Sequence, residues 1–178
     1  KVNGSSQNLN KINSWSPELF TKGHRNPQGM AINPTTNEIW INEHGPKGGD
    51  EINIIKLGKN YGWPIVTFGE EYWGGKVGQG ITTLKGFEDP IWYWVPSIAP
   101  SGMTFYDKNM FPEFKGNLLV SSLKFKSIYL VELKDGMPTK EKVLFKNMFG
   151  RIRDIEQLKD GSILVISDEK KGGIYKIY

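Results

Sequence analysis

The sequence predicts an all-β chain assembled from small antiparallel sheets, and three observations lead there. Short apolar runs alternate with clusters of Gly, Pro, Asn and Asp, which is the spacing of strands and tight turns. No segment keeps a helical period beyond about two turns. A loose internal repeat aligns Gly29-Met30-Ala31, Gly102-Met103-Thr104 and Asp154-Ile155-Glu156.

Taken in order, Lys1 to Lys11 are polar and rich in Asn and Ser, so a flexible lead-in is expected there. Ser16-Pro17-Glu18 can cap a turn of helix, and Glu18 to Lys22 can equally form an outer strand. From Gln28 the pattern turns to strands: Gly29 to Ile32, a turn at Asn33-Pro34-Thr35-Thr36-Asn37, then Ile39-Trp40-Ile41 and Ile52 to Ile55. Residues 69–96 read as an irregular insertion carrying Tyr72, Trp73, Trp92, Tyr93 and Trp94, which serve either loop packing or ligand contact. A second set follows: Gly102 to Tyr106, Asn117 to Ser121, Ser127 to Leu133, and an outer strand at Val143-Leu144-Phe145. Lys134-Asp135-Gly136 supplies a hairpin turn, because Asp-Gly tolerates the positive φ angles of a two-residue loop. The third set is Arg153 to Leu158, the turn Lys159-Asp160-Gly161, Ser162 to Ser167, and Gly173 to Tyr178.

Composition excludes several classes of function. The formal charge of +4 is spread through turns without a dense Lys/Arg tract, so nucleic acid is not an expected partner. With no Cys in its 178 residues the chain has neither disulfides nor thiol chemistry. No apolar run approaches the length of a membrane span.

The densest chemistry lies between Arg25 and Pro64. Gly48-Gly49 ahead of Asp50-Glu51 forms a flexible loop that can aim carbonyls and carboxylates at one point, as hard cations such as calcium favour. The same residues also suit a plain tight turn into a strand, with both carboxylates solvated.

Four blocks in this stretch carry a resemblance: Arg25-Asn26-Pro27-Gln28-Gly29, Glu43-His44-Gly45-Pro46, Gly49-Asp50-Glu51-Ile52-Asn53 and Asn60-Tyr61-Gly62-Trp63-Pro64. Together they resemble the quinoprotein glucose/sorbosone dehydrogenase family, in particular its soluble aldose sugar dehydrogenases. Matches at Pro96 to Gly102, at Lys124 and at Arg151-Ile152-Arg153 extend the likeness over nearly the whole chain. The resemblance implies a six-bladed β-propeller. At roughly forty to fifty residues per blade, residues 1–178 would supply about three blades of four-stranded antiparallel sheet, the C-terminal half. It also implies a periplasmic or secreted location.

The same resemblance implies pyrroloquinoline quinone and Ca2+ as cofactors. Arg151 and Arg153 would hold the quinone's carboxylates, since a guanidinium suits a planar carboxylate and a strand's alternation turns both to one face. Lys124 would also meet the cofactor, while Arg25 and Asn26 would stand beside the reactive carbonyl. Backbone carbonyls of Gly45 and Pro46 would hold the cofactor calcium, and Glu51 with Tyr61 a second, structural one. His44 would lie near the sugar. The implied reaction oxidises the anomeric carbon of an aldose to a lactone and passes electrons to an external acceptor.

The family's histidine base belongs to the other half, and neither His24 nor His44 sits in its motif. The chain by itself is therefore expected to be inactive and to self-associate or pair with an N-terminal half. The alternative is a calcium-binding propeller module without redox chemistry, which would have no need for the set Arg25, Asn26, Lys124, Arg151 and Arg153.

Overall fold

A computed structural model describes residues 18–178. The lead-in expected over 1–11, and Ser16 and Pro17 of the expected cap, lie outside the described residues. Glu18 sits in a turn and Lys22 makes a single parallel bridge to Asn60, so this segment forms neither a helix nor a full strand.

The described residues form three antiparallel sheets. The first comprises β1 (Pro27–Ile32), β2 (Ile39–Glu43), β3 (Asp50–Ile55) and β4 (Trp92–Trp94). The second comprises β5 (Pro100–Tyr106), β6 (Asn117–Ser122), β7 (Ser127–Lys134) and β8 (Met137–Leu144). The third carries three strands instead of the expected four: β9 (Ile152–Gln157), β10 (Ile163–Ser167) and β11 (Ile174–Ile177). The irregular stretch 69–96 ends in β4, which pairs with β3 through Asp50–Trp94, Glu51–Tyr93 and Ile52–Trp92. Its strand was hidden because a three-residue run of aromatics is too short to show a period.

Alternation along the middle sheet explains the core. Leu118 and Val120 of β6, with Tyr129 and Val131 of β7, face the first sheet's Trp40, Ile52 and Trp94. Their neighbours Leu119, Ile128 and Leu130 face Ile152, Ile155, Ile163 and Val165 of the third. A sheet covered on both faces is apolar on both where it is covered, as residues 118–120 of β6 and 128–131 of β7 are, and each such side chain contributes about 1.5–3 kcal/mol by leaving water. Between β7 and β8, Asp135 and Gly136 have φ of 53° and 77°, the pair of positive angles that a type I′ turn needs.

The first strands of the three sheets lie side by side and run the same way. A Cβ on Gly29 of β1 would strike Ser101 O of β5, and one on Gly102 of β5 would strike Asp154 of β9. The glycine of the internal repeat is thus the point where one sheet's inner strand meets the next. At the other ends Gln157 Oε1 of β9 accepts from Asp107 N, just past β5, at 2.7 Å. Starts meet starts and ends meet ends, which is how the inner strands of neighbouring propeller blades line a channel.

Candidate active site at the leading end of the inner strands

Antiparallel parity decides which loops share an end. Counting from the start of each inner strand, segments 23–26, 44–49, 95–99, 123–126, 145–151 and 168–172 all fall at the leading end of the sheets. The turns at 33–38, 107–116, 135–136 and 158–162 fall at the trailing end. Arg25, Asn26, His44, Gly45, Pro46, Lys124 and Arg151 therefore occupy one end of the molecule, with Arg153 one residue inside β9.

Two buried carboxylates tie these loops together. Glu43 accepts hydrogen bonds from Arg25 N at 2.7 Å, Asn26 N at 3.4 Å and Asn53 Nδ2 at 3.2 Å. His24 Nδ1 donates to its other face at 2.9 Å, so His24 Nε2 accepts from the Thr21 hydroxyl at 2.9 Å. The imidazole also stacks on Tyr61, with centroids 4.6 Å apart. Asp50 is fully buried and accepts from Gly45 N at 3.1 Å, Ser97 Oγ at 2.7 Å, Ile98 N at 2.8 Å and Ala99 N at 2.9 Å. One carboxylate thus pins the Gly45-Pro46 turn to the segment that leads into β5.

Arg25 reaches past this knot. Its Nη1 donates to His44 O at 3.3 Å, and its guanidinium lies over the Trp63 ring at 5.2 Å. His44 Nε2 donates to Pro100 O at 2.6 Å, because a carbonyl can only accept, and His44 Nδ1 then accepts from Asn26 Nδ2 at 3.5 Å. Both histidines are therefore engaged on both ring nitrogens.

Around these groups lie adjoining spaces. Arg25, Glu43, His44, Gly45, Gly49, Glu51 and Tyr61 enclose a void of about 10 Å³. His44, Gly45, Pro46, Tyr72, Val95 and Lys124 are among those bounding a cavity of about 470 Å³ next to it. A further cleft of about 330 Å³ joins Gln28 and Gly29 to Arg153. Gln28 Nε2 donates to Asn26 Oδ1 at 2.8 Å, which links that cleft to the Arg25 loop. Arg151 and Arg153 share one partner: their Nη2 atoms stand 3.4 and 2.7 Å from Asp168 Oδ2. The Arg-Ile-Arg alternation holds, with Ile152 fully buried between two exposed guanidinium groups.

Gly45, Glu51 and Tyr61 border the small void together with Arg25, while Pro46 borders the larger cavity beside it; carbonyl and carboxylate oxygens are the donors that a hard cation takes. A Cβ on Gly45 would collide with the carbonyls of Gly48 and Gly49, which crowd in on it. No backbone N–H among the described residues bonds the carbonyl of Gly45, Pro46 or Tyr61. Beside them, desolvation by burial pushes the Glu51 carboxyl up to about 8; the Asn53 hydrogen bond lowers it in part, and repulsion from Glu43, Asp50 and Asp89 adds smaller raises. Asn53 Oδ1 is buried without a partner next to these carboxylates. Among the described residues, no three carboxylate or imidazole side chains converge on a metal position, so carbonyls would have to supply most of the ligands.

Glu43 and Asp50 are the working residues that sequence reasoning undervalued. Their signal was weak, since a carboxylate beside a glycine-rich loop reads first as solvated. Only burial to under a tenth exposed shows that each holds several N–H groups.

Comparisons with known proteins bear on this arrangement. Residues 3–176 match the family model described as glucose/sorbosone dehydrogenase. The aldose sugar dehydrogenase YliI of Escherichia coli is 42% identical over 161 residues, covering 90% of this chain and 43% of that protein. Quinoprotein glucose dehydrogenase B of Acinetobacter calcoaceticus is 28% identical over 224 aligned residues, covering 93% and 45% respectively. The crystal structure of the soluble E. coli aldose sugar dehydrogenase in its apo form superposes with a TM-score of 0.85 at 41% identity, covering 90% of this chain and 46% of that one. The chain spans less than half the length of these relatives.

Proposed function

This chain belongs to the glucose/sorbosone dehydrogenase family, and on that premise we propose that it is part of an enzyme oxidising an aldose at its anomeric carbon with pyrroloquinoline quinone and calcium. The observation that carries the reading is strand parity: the loops holding Arg25, Asn26, His44, Gly45, Pro46, Lys124 and Arg151 share the leading end of the sheets. Cationic side chains gathered at one end of the sheets, beside adjoining spaces, suit an anionic planar ligand.

The quinone, when bound, supplies a two-electron acceptor for hydride. Arg151 and Arg153 would hold its carboxylates, Lys124 would also meet it, and Asn26 would stand with Arg25 beside its reactive carbonyl. Arg25 is held by Glu43 through its backbone and by His44 O and Trp63 through its side chain. It thus meets developing negative charge without having to reorganise. Carbonyls of Gly45 and Pro46 hold the cofactor calcium, and Glu51 with Tyr61 a structural one. His44, tied to Pro100 O and facing the larger cavity, lies at the sugar's approach.

Neither His24 nor His44 sits in the motif of the family's histidine base, so the base that takes the hydroxyl proton comes from outside this chain, and the chain alone turns over no sugar. Electrons leave to an external acceptor, and the protein works in the periplasm or outside the cell.

The test uses the full-length protein that carries this chain. Adding the quinone and calcium restores sugar-dependent dye reduction, and Arg25→Ala lowers the rate about 10²–10³-fold, the usual effect of losing one donor to a developing oxyanion. An unchanged rate in that variant rejects the assigned role.

A further inference from the structure

We propose that Asp168 is a positioning residue for the anion site, holding the guanidinium groups of Arg151 and Arg153 together so that their remaining donors meet one planar carboxylate ligand. The inference rests on the quinone reading above but concerns a residue outside the motifs that suggested it.

Arg151 and Arg153 carry like charges two residues apart on one side of β9, and both are exposed. Left alone, such side chains repel and sample many rotamers, which a ligand must then restrict. Asp168 removes both difficulties with a single oxygen, since its Oδ2 takes Arg153 Nη2 at 2.7 Å and Arg151 Nη2 at 3.4 Å. The carboxylate is itself fixed through the backbone, because Asp168 N donates to Arg151 O at 2.7 Å. Next to it, Glu169 Oε1 accepts from Arg151 N at 3.0 Å and lies 3.9 Å from Lys126 Nζ. The turn between β10 and β11 therefore clasps Arg151 at its backbone and both arginines at their tips.

Each guanidinium commits one Nη2 to this contact, and an arginine has five N–H donors. The donors not spent on Asp168 remain for an incoming carboxylate. The two arginines hold the Asp168 carboxyl below the ordinary aspartate range, Arg153 by the larger share, so it stays charged at neutral pH.

The opposite possibility is that Asp168 competes with the ligand for the two guanidinium groups, and the two cases differ in sign. In the full-length protein, quinone affinity is measured by absorbance titration in wild type and in Asp168→Asn, at several salt concentrations. Positioning predicts binding weakened about tenfold in the variant, with a steeper salt dependence because the site gains a net positive charge. An unaltered melting temperature shows that the loss is not unfolding. Equal or tighter binding by the variant overturns the inference while leaving the quinone reading intact. Absence of quinone binding by wild type overturns both. A ligand-free readout is the Asp168 carboxyl titration followed by NMR: Arg153→Gln moves it upward, and a titration that does not move refutes the clamp.

Discussion

Asp50 shows how one side chain can serve several loops at once. It lies under the site, fully buried, with three backbone N–H groups and one hydroxyl directed at its carboxylate. Replacing it by Ala leaves the N–H groups of Gly45, Ile98 and Ala99 without their acceptor in a place water cannot reach. Asp50→Ala should therefore cost about 3–5 kcal/mol, read as a fall in the urea midpoint at unchanged slope. The exposed Glu113→Ala should stay within about 0.5 kcal/mol of wild type. Equal midpoints for the two would show that Asp50 holds nothing. The residue pattern around Asp50 was legible as a turn with metal-like donors, but its actual partners at 97–99 lie 47 to 49 positions away. Glu43 is similar, for its tie to Arg25 spans 18 positions and follows from the pairing of β1 with β2.

Elements were read more faithfully than contacts. Gly29 to Ile32, Gly102 to Tyr106 and Arg153 to Leu158 announce themselves by apolar composition and flanking turns, and they became β1, β5 and β9. What the runs could not announce is why the repeat begins with glycine in two of its three copies. The reason lies between sheets, where the backbone of β5 passes so close to Asp154 that a methyl group at residue 102 has no room. Gly102→Ala forces β5 and β9 apart and should cost about 1–3 kcal/mol. The expected result is a melting temperature lower by several degrees, and an unshifted value would mean that the two strands adjust freely. β4 was missed for the opposite reason, because its three residues pair only once β3 offers them an edge.

On the scale of the whole molecule, the inner face and one outer strand remain apolar and open. Met30 and Ile32 on β1 are 68% and 58% exposed, and Ile174 on β11 is 69% exposed. Open strand edges and apolar side chains of this kind favour association. The isolated chain should self-associate in light scattering and become dispersed when the remainder of its propeller is supplied in trans. A concentration-independent monomer would refute that expectation. The all-β class, most of the strands and the family follow from local signals, namely alternation, turn residues and four blocks in sequence, because backbone preference and motif spacing are properties of neighbours along the chain. Which side chains share a pocket is different in kind. The meeting of Arg25, Gly45 and Lys124 at one end, the burial of Glu43 and Asp50, and the grip of Asp168 on two arginines depend on strand direction and on the packing of separate sheets, which bring together residues that no local pattern connects.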